Sequence, residues 1–260
     1  MELKTILAVS GAVFIALIVI VVPPTVLLSP RTTQIRATFM KKCQNFSETK
    51  QRCEQVRQTF EEAYVGQAPC GFAESNYDQL FTENPLTHSC GKTMFWSGTK
   101  DLVHRFTQKR DHFITLEDTL LGHIMNRLTW CGRKGSKDTF TYLCEKCPVN
   151  TVSSFWMGAS ARFAAYACGS TTVMLNGQKN PPFNPNGFFG KVEVPELKYP
   201  EVKSLTVILV TKNNKVDCNQ ESLQILRKIL DPNVAYDCKP VTEARIQQCI
   251  EDGITGSCWS

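Results

Sequence analysis

Trp96-Ser97, Glu117-Asp118, Trp156 and Glu193 are the residues of this chain whose types could act on a flat cation. An indole beside a small hydroxyl, in Met94-Phe95-Trp96-Ser97-Gly98, precedes two adjacent carboxylates in Thr115-Leu116-Glu117-Asp118. The indole face attracts positive charge through its quadrupole, and the carboxylates would neutralise it. A second indole in Phe155-Trp156 and an acidic segment, Gly187 to Val194, extend the set. Each residue also has an ordinary reading. Acids in a first helical turn offset the macrodipole by ~0.3–1 kcal/mol. An isolated Trp commonly packs in a core. Glu193 alternates with Val192 and Val194 as a solvent-facing strand residue would. On residue pattern alone these readings stay open.

The elements that would hold such residues can be read from periodicity. Thr32 to Tyr64 is polar and helix-compatible, with Phe39, Val56, Phe60 and Tyr64 spaced to share a buried helical face. Thr115 followed by Asp118 reads as a capping-box-like start, with Leu116, Leu120, Ile124 and Leu128 as the buried stripe of the helix it opens. Ser153 to Ala167 is rich in Ala and aromatics and reads as helix. Downstream the period shortens: Thr171 to Leu175 and Leu205 to Val210 read as strands, the latter fully buried. Ser222 to Leu230 and Val241 to Ile250 read as helices after strands, which implies an α/β fold with part of its sheet parallel. Gly187 to Val194 reads as a short strand, Trp130 as packing, and Trp259 as a near-terminal residue without evident role.

The 260 residues are 42% apolar, enough for a substantial core. No charged residue falls between Thr5 and Pro30, and Ile6 to Val22 is almost continuously aliphatic. At ~1.5 Å per residue this run nearly spans a hydrocarbon layer. It exceeds the roughly 7–15 apolar residues of a cleaved signal peptide. Residues 1–30 are therefore read as a signal anchor or transmembrane helix and 31–260 as the body, which would be secreted if the segment were cleaved. Arg31, Arg36, Lys41 and Lys42 follow the run, whereas Lys4 precedes it, a bias that alone would place the body in the cytosol. Twelve cysteines and the sequon Asn45-Phe46-Ser47 outweigh that bias, because disulfides persist in oxidising compartments. The expected location is the cell surface, single-pass, with the body outside and Asn45 glycosylated.

Of the formal charge of +5, residues 1–42 hold five basic and one acidic side chain, leaving +1 for the rest. A nearly neutral body is a poor binder of nucleic acid. Twelve cysteines admit roughly 10,000 pairings, so spacing does not give connectivity. Cys144-Glu145-Lys146-Cys147 lacks a second pair at zinc-finger distance, so no metal site is expected.

Phe95-Trp96-Ser97-Gly98, Thr115 to Gly122, Thr129-Trp130-Cys131-Gly132, Phe155-Trp156 and Phe188 to Glu193 together resemble the ADP-ribosyl cyclase and cyclic ADP-ribose hydrolase family of ectoenzymes. The resemblance covers nearly everything after the apolar run. It implies a two-lobed α/β body: a mainly helical lobe over 33–89 and 115–167, a lobe with a small, largely parallel sheet over 90–114 and 168–260, and a cleft between them. It implies pairing of Cys43 with Cys53, Cys70 with Cys147, Cys90 with Cys168, Cys131 with Cys144, Cys218 with Cys238, and Cys249 with Cys258.

For the site, the resemblance implies that Glu193 stabilises the oxocarbenium-like ribosyl group left when nicotinamide departs, electrostatically or as an ester. Trp96 and Trp156 would wall the pocket, Glu117 and Asp118 would hold the carboxamide, and Ser97 and Ser160 would contact the diphosphate. Phe188 and Phe189 would line the pocket. Gly98 stands where some relatives carry an arginine, and Asn126 where some carry an aspartate beside the nicotinamide. Phe188 replaces a smaller threonine of hydrolase-dominant relatives, which implies substantial cyclisation alongside hydrolysis. NAD would be substrate rather than cofactor, with no resident cofactor, base exchange of NADP with nicotinic acid also open, and a homo-oligomer allowed. The rival reading is a disulfide-rich surface receptor or adhesion domain with little activity.

Overall fold

The computed structural model describes residues 30–109, 112–139, 147–212, 217–252 and 258–259. Residues 1–29 of the expected anchor over 1–30, and Cys144 of the expected Cys131–Cys144 bridge, lie outside these residues. No described helix is long and apolar enough to cross a membrane.

The amino-terminal helical stretch is two helices, α1 (Pro30–Asn45) and α2 (Lys50–Tyr64), rather than one continuous run. Ser47 adopts φ 70 between them, Thr49 caps α2 by accepting from the Arg52 amide, and Cys43–Cys53 ties the pair. Phe39 of α1 stacks on Phe60 of α2 at 5.4 Å, so the expected face is buried across two helices. A short helix α3 (Asp78–Glu83) follows.

Four strands, β1 (Met94–Ser97), β2 (Gly169–Asn176), β3 (Val202–Thr211) and β4 (Ala235–Thr242), form one sheet in sequence order with every neighbouring pair parallel. Strands β1 and β4 were not evident from periodicity. Parallel neighbours need long crossovers. Helices α4 (Lys100–Lys109), α5 (Leu120–Met125) and α6 (Thr151–Ala165) fill the first, and α7 (Glu221–Ile229) fills the last. Helix α8 (Glu243–Asp252) ends the described fold apart from Cys258 and Trp259.

Both faces of the sheet are covered, as parallel sheets require. Phe95, Val173 and Val207 lie in register across β1, β2 and β3 and face the large cluster built on α1, α2, α5, α6 and α7. Trp96, Met174 and Ile208, the next register row, turn to the smaller cluster with α4 and α8. Trp259 packs there against Phe106 at 5.2 Å and Phe113 at 5.7 Å, which corrects the expectation that it has no role.

Trp130 is fully buried, as expected. Its indole donates to the Tyr77 hydroxyl at 2.8 Å, that hydroxyl donates to the Thr151 carbonyl, and the Thr151 hydroxyl donates to the Trp130 carbonyl. Disulfides Cys70–Cys147, Cys90–Cys168, Cys218–Cys238 and Cys249–Cys258 are all formed as expected. Cys90–Cys168 joins the approaches to the adjacent parallel strands β1 and β2. Such links typically stabilise a fold by about 2–4 kcal/mol each.

Candidate active site

Strand β1 is an edge strand, and its carboxyl end delivers Trp96 and Ser97 to a cleft of about 480 Å³. Clefts at the carboxyl ends of strands are usual in open parallel sheets. Gly98 then turns the chain at φ +72 into α4.

The second wall corrects an expectation. Thr115 to Leu128 is not one helix but a 3-10 turn, Leu116–Asp118, followed by α5. Thr119 breaks the run because its hydroxyl caps α5 through the Gly122 amide at 3.2 Å. Gly122 is required at the junction, since a Cβ there would meet the Leu116 carbonyl oxygen at 1.8 Å. The break separates the two acids. Glu117 lines the cleft and accepts from Trp96 Nε1 at 3.2 Å. Asp118 does not line it: its Oδ2 accepts from both the amide and hydroxyl of Thr115 at 2.8 Å. The local cap therefore engages the carboxylate that was expected on the carboxamide.

Helix α6, capped by Asn150 through the amides of Val152 and Ser153, carries Trp156 and Ser160 one turn apart on the face lining the cleft. Trp156 is half-buried and meets Phe155 edge to face at 5.3 Å.

The segment carrying Glu193 corrects a second expectation. Phe189–Glu193 forms a π-helical turn continued by a 3-10 turn, Val194–Glu196, and not a strand. Phe189, Glu193 and Leu197 are buried at four-residue spacing, a helical period, while Pro195 lacks the amide a central strand needs. Gly190 permits the close packing of this turn: a Cβ there would lie 2.7 Å from the Asn184 carbonyl oxygen and the Pro185 Cα. Phe189 sits beneath the cleft against Phe95 at 5.6 Å, whereas Phe188 is exposed at its mouth.

Glu193 is 8% exposed and lies in the same cleft as both indoles. Burial pushes its carboxyl up to about 8; the Ser160 hydrogen bond opposes this, and the charge of Glu117 adds to it. Asn126 also lines the cleft, and its Oδ1 accepts from Lys100 Nζ at 2.9 Å. Reasoning from the sequence missed three groups here. His104 of α4 has its Nε2 3.9 Å from Glu117 and its ring edge-on to Trp96; Lys100 and Arg127 line the rim. The eight-residue interval from Trp96 to His104 carried no signal of this contact, which needs the turn at Gly98.

All ten expected site residues except Asp118 thus line one cleft. Two indoles, two carboxylates and small hydroxyls surround a space in which a cationic ring could stack while a carboxylate faces an adjoining sugar. Among the described residues there is no group of three or more His, Cys, Asp or Glu side chains placed to hold a metal.

Comparison with known proteins supplies independent findings. The family model described as ADP-ribosyl cyclase matches residues 32–258. The chain is 33% identical to an ADP-ribosyl cyclase/cyclic ADP-ribose hydrolase 1 of Mus musculus, over 95% of this chain and 88% of the relative. It is 29% identical to the ADP-ribosyl cyclase/cyclic ADP-ribose hydrolase of Aplysia californica, over 89% and 88%. Among solved structures, porcine CD38 with a covalent intermediate, ribo-F-ribose-5'-phosphate, superposes with a TM-score of 0.74 at 32% identity, covering 82% of this chain and 97% of that one. Aplysia cyclase complexed with substrate NGD and product cGDPR does so with 0.74 at 29%, covering 87% and 97%.

Proposed function

The chain belongs to the ADP-ribosyl cyclase family, and on that premise we propose that its cleft performs the reaction through Glu193. The protein is an NAD glycohydrolase and ADP-ribosyl cyclase that releases nicotinamide from NAD to form cyclic ADP-ribose and ADP-ribose. The observation that carries the assignment of roles is the convergence of Glu193, Trp96 and Trp156 on one cleft.

Nicotinamide in NAD is already a cationic pyridinium, so its departure needs no strong acid. The demand falls on the ribosyl carbon, which gains positive charge as the bond breaks. Before substrate binds, Glu193 holds its proton up to about pH 8 because burial disfavours the anion. A pyridinium stacked between the indoles favours the ionised form, so substrate binding and ionisation support each other. The Glu193 carboxylate then stabilises the anomeric carbon or bonds to it, while the C–N bonding pair leaves with nicotinamide as a neutral base. In the second step, water gives ADP-ribose, or adenine N1 of the same molecule gives the cyclic product.

Glu117 is held by the Trp96 N–H, an orientation suited to accepting from the carboxamide. Ser97 and Ser160 offer hydroxyls to the diphosphate, and Asn126 borders the nicotinamide end. Phe188, exposed at the mouth, can fold the adenine inward and exclude water, which favours cyclisation. The same cleft would take NADP and exchange nicotinamide for nicotinic acid.

We place this cleft between a helical lobe and a sheet lobe divided near 89, 115 and 168. An outward-facing body behind an amino-terminal anchor, with carbohydrate on Asn45, draws support from the apolar run, the disulfides and the exposure of Asn45.

The test is incubation of the purified body with NAD and with its guanine analogue, and resolution of the products. Nicotinamide release with both cyclic and linear products is expected. Linear product alone would remove the role of Phe188, and no release of nicotinamide would remove the activity.

A further inference from the structure

Arg127 stands at the cleft rim in a conformation that works against its own side chain. Helix α5 ends at Met125, the Leu128 amide donates back to the Met125 carbonyl at 3.0 Å, and Arg127 between them adopts φ 64. A left-handed residue just after a helix end is ordinarily Gly or Asn, because a Cβ crowds the backbone there. Folding alone would thus be better served by glycine.

Arg127 is exposed, lines the cleft, and makes no hydrogen bond or ion pair among the described residues. Its cationic neighbours are differently employed. Lys100 donates to Asn126 Oδ1, and Lys42 donates to the carbonyls of His123, Ile124 and Asn126 at the end of α5. Lys42 and Lys100 both meet Asn126, the chain neighbour of Arg127, and burial first, then the charges of Arg127 and Lys100, hold the Lys42 ammonium below its usual range. Neither acid lining the cleft pairs with Arg127 among the described residues: Glu117 accepts from Trp96, and Glu193 is buried beside Ser160. A free guanidinium facing a ligand cleft suits a planar oxyanion.

We infer that Arg127 is the anion receptor of this cleft, taking an oxyanion of the ligand: a phosphate of the dinucleotide or the carboxylate of an incoming pyridine base. The inference rests on the reading of the cleft as an NAD site and adds a residue to which no role was assigned.

Two variants of the purified body test it. Arg127→Gly removes the guanidinium and the crowding together, so its Tm should rise by roughly 2–4 °C while binding is lost. Arg127→Lys restores the charge and should recover most of that binding. Calorimetric titration with ADP-ribose needs no turnover: at least a ten-fold weaker Kd in Arg127→Gly identifies the diphosphate as the bound group. A ten-fold fall confined to the NADP-to-NAD ratio of kcat/KM identifies the additional phosphate, and one confined to exchange with nicotinic acid over nicotinamide identifies the carboxylate. Changes of less than ten-fold from the parent in all arms overturn the inference, as does a glycine variant that is destabilised and weakened in every arm alike. A parent protein that fails to convert NAD would remove the activity while the titration still decides the role of Arg127.

Discussion

Glu61 and Glu193 are both carboxyl groups largely withdrawn from water, yet their surroundings are opposite. The Glu61 side chain, 13% exposed on α2, accepts from Arg36 Nε at 2.8 Å and Nη2 at 3.0 Å and from Arg57 at 2.5 Å, which pins α1 to α2. Glu193, 8% exposed, has a hydroxyl and a second carboxylate for neighbours, and among the described residues no ion pair with a cation. Depth does not decide what a buried carboxylate does; its partners do. With two arginines it is a tie between helices. Without one it stays poised to change charge when a cation arrives.

The sharpest way to break that contrast is Glu193→Gln, which keeps the shape and removes the charge. Release of nicotinamide from NAD should fall by roughly 100- to 1,000-fold or more. Stability should move the other way. Between pH about 4.5 and about 8 the folded chain retains a proton on Glu193 that the unfolded chain gives up, so the parent loses stability as pH rises through that window. At pH 7 the cost is about 3 kcal/mol, which the Gln variant should recover and which should vanish near pH 4. Urea unfolding of both proteins at the two pH values checks this, and equal stabilities at pH 7 would contradict the buried, unpaired carboxyl.

The pH profile of turnover gives the next effect. For the free enzyme, kcat/KM for NAD should climb with pH and level near 8, because the ionised form is required. Glu117→Gln removes a charge that holds the Glu193 pKa up, so the rising limb should move to lower pH. The movement should be partial, since burial is the larger cause. A limb that stays in place would disconnect the two carboxylates.

At the paired site, Glu61→Gln should cost about 1–2 kcal/mol by leaving two guanidinium groups without their counter-charge, discounted because Arg36 is 31% exposed. Its rate with NAD should stay within two-fold of the parent, measured as nicotinamide release. The smallest change is expected at the cleft mouth: Phe188→Thr should lower the cyclic-to-linear product ratio several-fold while total turnover changes little. Product resolution by chromatography measures it, and an unchanged ratio would detach Phe188 from the partition.

Much of this contrast was legible in residue order. The strands at 171–175 and 205–210 and the helices at 153–167, 222–230 and 241–250 all lie within or beside observed elements, because each carries a periodic apolar pattern. Two errors share a cause. Val192-Glu193-Val194 imitates strand alternation, and Leu116, Leu120, Ile124 and Leu128 imitate one helix, because both windows were read without their packing partners. The four-residue spacing of Phe189, Glu193 and Leu197 and the proline at 195 were the available signs against a strand.

Asp118 and Arg127 mark the boundary between the two kinds of information. Residue types and their spacing determined that this chain would build a disulfide-tied α/β body, that Trp130 would be core, and that Trp96, Trp156, Glu117 and Glu193 could serve one chemistry. These follow from periodicity, thiol pairing and side-chain capability, which are local or countable. Which of two adjacent acids faces the cleft, and that Glu193 is buried with no ion pair among the described residues, were decided only when α4, α5, α6 and the π-helical turn came together at the end of β1. A carboxyl group's charge depends on the solvent and partners around it, and those are supplied by residues distant along the chain.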